Sequence, residues 1–151
     1  MNGPLRGVRG FVFDAYGTLL NLAGAVAPVA AALGPRAGDM LALWRVKQIE
    51  YTWLRTLMQR HAPFDVVTEQ ALDYAVAATG VEVGGAARSA LLDAFRRLPA
   101  YPDARPLLDS LGRRGVPSVV LSNGTPEMLA QGLDAAGLRG ALDQVLSVES
   151  V

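Results

Sequence analysis

The chain has 151 residues, with 14 basic and 14 acidic side chains and no cysteine. This length indicates about one domain. The balanced charge offers no basic stripe for nucleic acid or for an anionic membrane, so we expect neither partner. The lack of cysteine excludes disulfides, thiolate nucleophiles and cysteine metal ligands, and it fits a reducing, cytoplasmic location.

The most apolar stretch of the chain is residues 19–34. It is shorter than the roughly 20 residues that a bilayer span needs, and it contains Asn21, Gly24 and Pro28. We interpret it as a connector that leads into a helix. The first ten residues, MNGPLRGVRG, have no long apolar segment before a cleavage site and predict no signal peptide.

The pattern of apolar residues predicts alternating strands and helices. β-branched and aromatic residues predict a strand over residues 8–14, and the spacing of Val46, Ile49, Trp53 and Leu57 predicts a helix over 39–60. The elements that follow are helices over 68–79 (with Thr68 as N-cap) and 84–97, a helix from Asp103 to Gly115, a strand over 116–122, a helix from Thr125 to Gly137, and a strand over 143–148.

Strands joined through helices imply a parallel α/β sheet with right-handed crossovers. The helical block from about 36 to 98 is too long to be one crossover helix. We therefore expect an inserted subdomain that lies over the sheet.

Polar side chains follow two of the predicted strands. Asp14 ends the first, and Ser122 and Asn123 end the second. Ligands bind at the carboxyl ends of strands in an open α/β sheet, and the N-terminus of the helix after Thr125 would attract an anion. This edge could pair a nucleophile with an anion site. Alternatively, Asp14 is a turn residue and Ser-Asn-Gly only a tight turn; the spacing leaves both open.

Arg45 shares a helix face with Ile49 and Trp53. A guanidinium on a largely apolar stripe must find an anion or extend to water. A binding role and an ordinary surface arginine both fit this pattern.

Longer motifs carry a family resemblance. FVFDAYGTLL resembles the first motif of the haloacid dehalogenase superfamily, and LWRVKQIEYTWLRTLM is very similar to the helix that opens the cap of L-2-haloacid dehalogenases. YPDA followed by LSNGTPEML looks like the run into the second motif. The resemblance covers residues 8–151. It implies a Rossmann-like core formed by residues 1–20 and 99–151, with a helical cap over 21–98.

The resemblance also implies a role for Tyr16. Phosphatases of the superfamily usually carry an acid at this position, two residues after the nucleophile, which protonates the leaving alkoxide and helps to organise Mg²⁺. Halide is a weak base and needs no proton to leave. An aromatic wall can therefore replace the acid, and the resemblance implies no metal and no cofactor.

The implied activity is hydrolysis of short 2-haloacids to 2-hydroxy acids through an ester on Asp14. The implied roles are Asp14 as nucleophile, Thr18 as its support, Ser122 as holder of the substrate carboxylate, Arg45 and Asn123 as receivers of the halide, and Tyr16, Ile49 and Phe64 as parts of an apolar pocket.

The chain departs from the family pattern in two ways. Val46 replaces a usual glutamine of the pocket wall. The pattern also continues, beyond the position of Val151, with a lysine, a further strand ending in Ser-Asn, and an aspartate. We therefore expect a fragment that is poorly soluble or inactive alone, with its first strand exposed as a sheet edge. The resemblance implies a homodimer through the cap helices for the complete protein.

Two other functions stay open. One is a phosphatase of the same superfamily, which Tyr16 argues against and stimulation by Mg²⁺ would favour. The other is a non-catalytic half-domain that binds a partner through the open edge of its sheet.

Overall fold

The computed structural model describes residues 7–150, and within them three strands form one parallel sheet. Val12 pairs with Val119, and Val120 pairs with Val145. The predicted parallel α/β sheet is confirmed, although each strand is shorter than expected. The strands are β1 (Phe11–Phe13), β2 (Ser118–Ser122) and β3 (Gln144–Ser147), in the order β1-β2-β3.

Helices fill most of the remaining chain. Three of them lie within the predicted helical block of residues 36–98, and one more lies between β1 and that block. The helices are α1 (Leu22–Ala31), α2 (Ala37–Leu57), α3 (Phe64–Thr79), α4 (Gly85–Arg96), α5 (Ala104–Arg113) and α6 (Pro126–Ala135), with short 3₁₀ turns at Arg139–Ala141 and Val148–Ser150.

Helix α1 lies within residues 19–34, which the sequence predicted to be a connector that leads into a helix. Asn21 caps α1, because its Oδ1 accepts a hydrogen bond from the Gly24 N–H at 3.1 Å. Pro28 lies inside the helix and does not end it. Within residues 7–150, no helix combines the length and the apolar character needed to cross a bilayer.

The predicted capping role of Thr68 is wrong. α3 begins directly after Pro63, four residues before Thr68, so Thr68 falls in its second turn. There the Thr68 hydroxyl donates to the Phe64 carbonyl at 2.6 Å. Thr125 does cap α6 as predicted: its Oγ1 accepts from the Met128 N–H at 3.1 Å, and Pro126 takes the first helical position.

Part of the core lies between the sheet and the helices α5 and α6, which come before and after β2. Leu108 of α5, Val120 of β2 and Leu133 of α6 are almost fully buried. Burying a leucine side chain contributes about 1.5–3 kcal/mol. Phe95 of α4 is also buried, and α4 contacts α6, so the helical block packs onto this core.

The chain leaves the sheet for the helical block and returns to it at one place. The Asn21 N–H donates to the Pro99 carbonyl at 2.7 Å, and the Tyr101 N–H donates to the Leu19 carbonyl at 2.9 Å. This pairing lies close to the predicted limits of the cap, 21–98, but the division into a core and a cap stays a prediction. β1 forms one edge of the described sheet, and Val12 is 68% exposed there, as expected for an open edge.

Candidate active site

A cleft of about 140 Å³ opens where the carboxyl ends of β1 and β2 face α2. It unites residues from the sheet, from α2 and from the start of α3. All but one of the side chains assigned a role by the sequence line it. The lining residues are Asp14, Tyr16, Arg45, Ile49, Thr52, Trp53, Phe64, Ser122 and Asn123.

Asp14 provides the carboxylate of this cleft. It comes directly after β1 and is exposed. Within residues 7–150, no side-chain hydrogen bond or ion pair engages it. Its oxygens are therefore available to a ligand in the cleft.

The turn after β2 is both tight and part of the site. The Gly124 N–H donates to Ser122 Oγ at 3.4 Å, and Ser147 Oγ donates to the Gly124 carbonyl at 2.7 Å. A Cβ at Gly124 would lie 2.8 Å from the Tyr16 ring. Only glycine lets this turn approach the ring so closely, and the turn places Ser122 and Asn123 at the cleft.

Tyr16 forms an aromatic wall. Its ring is 3% exposed and lies 5.6 Å from the ring of Phe64 and 5.3 Å from that of Phe95, between centroids. Within the described residues, its hydroxyl is buried without a hydrogen-bond partner. Burial raises the pKa of Tyr16, and the charge of Asp14 raises it further. The phenol therefore stays protonated at neutral pH.

Arg45 faces the strand ends from α2. Its Nη2 donates to the Tyr16 carbonyl at 2.9 Å, and its Nη1 donates to Gln48 Oε1 at 2.6 Å. Burial lowers the pKa of Arg45, while the negative charge of Asp14 acts in the opposite direction. These contacts favour a role in the cleft over an ordinary surface arginine.

Thr18 is the one assigned residue that the cleft does not include. It is exposed in the loop after Tyr16, and its support of Asp14 stays a prediction. Val46, which replaces a usual glutamine, is 49% exposed and does not line the cleft either.

Sequence reasoning gave no cleft role to Thr52 or Trp53. Trp53 lies four residues after Ile49 and Thr52 seven after Arg45, so helical spacing could have found both. Gln48 also received no role, although it contacts Arg45. Its contribution depends on α3, which packs against α2.

A larger cavity, about 620 Å³, lies on another side of Arg45. It runs between α1 and α2, and alanine, leucine and valine form most of its wall. Among the described residues that line it, none carries a carboxylate. We place the chemistry in the smaller cleft, where an acid, a cation, a hydroxyl and an amide meet. Within residues 7–150, no group of three or more histidine, aspartate or glutamate side chains could hold a metal ion, and the independence from metal stays a prediction.

Comparison with protein families gives a match over residues 8–151 to the haloacid dehalogenase-like hydrolases. The chain belongs to this family. The parallel sheet with its helical block is thus the α/β fold of haloacid dehalogenase-like hydrolases.

Named relatives within the family are dehalogenases. (S)-2-haloacid dehalogenase 1 of Pseudomonas sp. strain CBS-3 is 44% identical over 144 residues, which is 95% of this chain and 63% of the relative. A solved dehalogenase structure is 39% identical with a TM-score of 0.92, over 97% of this chain and 65% of that chain. L-2-haloacid dehalogenase from Xanthobacter autotrophicus, with chloropropionic acid covalently bound, is 37% identical with a TM-score of 0.84, over 95% of this chain and 58% of that chain.

The chain therefore spans less than two thirds of the length of these relatives. The part that it shares with them contains the whole cleft described above, from Asp14 to Asn123.

Proposed function

We propose that this chain contributes the nucleophile and the halide site of an enzyme that hydrolyses short 2-haloalkanoic acids to 2-hydroxy acids. One observation carries the proposal. An exposed carboxylate, Asp14, shares a small cleft with Arg45, Ser122 and Asn123, and a buried neutral phenol, Tyr16, stands two residues after it. The named activity of the relatives supports the same reaction.

In the first step, an oxygen of Asp14 forms a bond to the carbon that carries the halogen. The carbon–halogen bond breaks, and the halide leaves with its electron pair from the opposite side, so the carbon is inverted. The guanidinium of Arg45 and the amide of Asn123 stabilise the charge that appears on the halide. Such donors act mainly in the transition state, because the charge develops only as the bond breaks.

In the second step, water attacks the carbonyl carbon of the ester on Asp14 and loses a proton. The bond between that carbon and the ester oxygen breaks, and the leaving oxygen takes up one proton of the water, which releases the 2-hydroxy acid and restores the carboxylate. One water is consumed, and one halide and one proton are released. The hydroxyl oxygen of the first product molecule comes from Asp14.

The side chains around Asp14 fit the substrate. Ser122, at the end of β2, would hold the substrate carboxylate. Tyr16, Ile49 and Phe64 form the apolar wall, which limits the access of water. A charge pair in such a site interacts more strongly than in bulk water.

The test is a single turnover of (S)-2-chloropropanoate by the complete protein that contains this chain, in ¹⁸O-labelled water, followed by mass spectrometry of product and protein. We expect a covalent ester on Asp14 and a first product without the label. A labelled first product, or no ester and no halide, would contradict the proposal. Hydrolysis of a generic phosphoester that depends on Mg²⁺ would instead favour a phosphatase.

We also propose a homodimer and a cytoplasmic location for the complete protein. We expect the C-terminal half of α2 and the residue that follows it to form the dimer surface, because Trp53, Leu54, Leu57 and Met58 are all exposed there. Light scattering should give a dimer for the wild type and a monomer for Leu57→Asp. A wild-type monomer would rule this interface out.

A further inference from the structure

Arg45 is held by a chain of buried polar side chains. Its Nη1 donates to Gln48 Oε1, Gln48 Nε2 donates to Thr68 Oγ1, and Thr68 Oγ1 donates to the Phe64 carbonyl, each at 2.6 Å. Gln48 is 0% exposed and Thr68 is 2% exposed. Most buried polar groups in proteins are hydrogen-bonded, because an unpaired one costs stability. We call this set the Gln48 relay.

The direction of each bond in the relay follows from the chemistry of its ends. The Phe64 carbonyl can only accept, so the Thr68 hydroxyl must give it its proton. Thr68 can then only accept from Gln48, which turns the amide nitrogen towards α3. Arg45 can only donate, and it meets the remaining amide oxygen. A glutamine therefore fits this position in one orientation.

The relay connects parts of the site that are distant in sequence. It runs from α2 to the first turn of α3, where Phe64 lines the cleft. Trp44, next to Arg45, also binds α3, because its Nε1 donates to the Thr68 carbonyl at 2.8 Å. On its other side, Arg45 binds the carbonyl of Tyr16. The Arg45 guanidinium is thus held by hydrogen bonds to α2 and to the loop after β1 at the same time.

We propose that Gln48 is a positioning residue, which orients the Arg45 guanidinium for the leaving halide; this rests on the proposed function. An arginine side chain loses considerable rotamer freedom when it is ordered. The relay orders it before the reaction, and a donor that is already in place needs no rearrangement as charge develops. Because an amide is neutral, it orients the guanidinium without cancelling its charge, and the other N–H groups of Arg45 stay available to halide.

The first test compares Gln48→Met with the wild type, both in the complete protein that contains this chain. Methionine keeps the length and the burial but removes both hydrogen bonds. We expect kcat to fall by about tenfold to a hundredfold, with little change in KM, because the reacting geometry and not substrate binding is disturbed. An unchanged kcat, with or without a change in KM, would overturn the proposal.

A pair of threonines in α3 provides a matched control. Thr68 and Thr79 are both buried, and each donates to the carbonyl four residues before it. Only Thr68 contacts Gln48. Thr68→Val should lower kcat in the same direction as Gln48→Met, by a smaller factor, and Thr79→Val should not. Equal losses in both variants would mean that only helix stability is involved.

Gln48→Glu separates orientation from charge. A carboxylate keeps the bond to Arg45 but neutralises the guanidinium, so inhibition by added bromide should weaken by at least about tenfold relative to the wild type. A purely structural role of Gln48 predicts no such change in halide affinity. Unchanged bromide inhibition would overturn the proposal.

One readout does not depend on turnover. In nuclear magnetic resonance spectra, the Nη protons of Arg45 should be resolved in the wild type and averaged by rotation in Gln48→Met. If the wild type releases no halide, the proposed function fails, and these spectra still decide whether Gln48 fixes Arg45. Identical Arg45 signals in both proteins would show that it does not.

Discussion

The two sides of the cleft hold their charged groups differently. On the strand side, Asp14 is exposed, and no side chain within residues 7–150 forms a hydrogen bond to it. On the helix side, both terminal nitrogens of Arg45 form hydrogen bonds. A nucleophile must be free to form a new bond, so few local contacts suit Asp14. A cation that stabilises a leaving group works best when it is already oriented. In the proposed site, one side is therefore free to react and the other is rigid.

Removing the free carboxylate should have the largest effect. We expect Asp14→Asn to lower halide release from 2-chloropropanoate by a factor on the order of 10⁴ or more, because the bond-forming oxygen loses its charge. Asp134→Asn, an exposed aspartate of α6, is the control and should match the wild type. Wild-type rates for Asp14→Asn, with mass spectrometry showing that the amide persists, would exclude Asp14 as nucleophile.

Removing the fixed cation should have the next largest effect. Arg45→Met should lower kcat by about 10² to 10³, which is the usual range for a single donor aimed at developing charge. Arg113→Met changes an exposed arginine at the end of α5 and should leave kcat unchanged. An effect on KM alone would mean that Arg45 binds substrate and does not stabilise the leaving halide.

Crowding the turn that carries Ser122 and Asn123 should destabilise the fold. In Gly124→Ala the new methyl group would lie 2.8 Å from the Tyr16 ring, and we expect a loss of about 1–3 kcal/mol in the free energy of unfolding by urea. Gly112→Ala is the opposite case. That helical glycine has open space around it, so alanine should stabilise α5 by roughly 0.5–1 kcal/mol. Equal shifts in both variants would show that the contact with Tyr16 does not matter.

The smallest expected effect is a gain in stability when the hydroxyl of Tyr16, in the wall beside Asp14, is removed. Tyr16→Phe removes a buried hydroxyl that has no partner within the described residues, and it should stabilise the fold by about 1 kcal/mol at pH 7. Since the pKa of Tyr16 is raised in the fold, the unfolded chain loses the phenol proton first as the pH rises past about 10. Wild-type stability should therefore fall there, and its difference from Tyr16→Phe should widen. Urea titrations at pH 7, 9 and 10.5 measure this, and a constant difference would contradict it.

Local patterns in the sequence were sufficient for much of the fold. The apolar runs predicted the positions of β1, β2 and β3, and a hydroxyl followed by proline predicted the start of α6. The same kind of signal failed at Thr68, where Pro63 begins α3 one turn earlier. A capping signal is local and weak, so another start signal nearby can override it.

The sequence by itself determined the strand-end residues of the cleft, because Asp14 and Ser122 follow apolar runs whose parallel pairing brings their ends to one edge. It also indicated that Arg45 and Ile49 share a helix face. Only the tertiary structure decided the rest. Gln48 and Thr68 are polar and lie 20 residues apart in sequence, and their burial depends on how α2 packs against α3. Hydrogen bonds across such a distance leave no periodic signal, so the fixed orientation of Arg45 could be seen only in the folded chain.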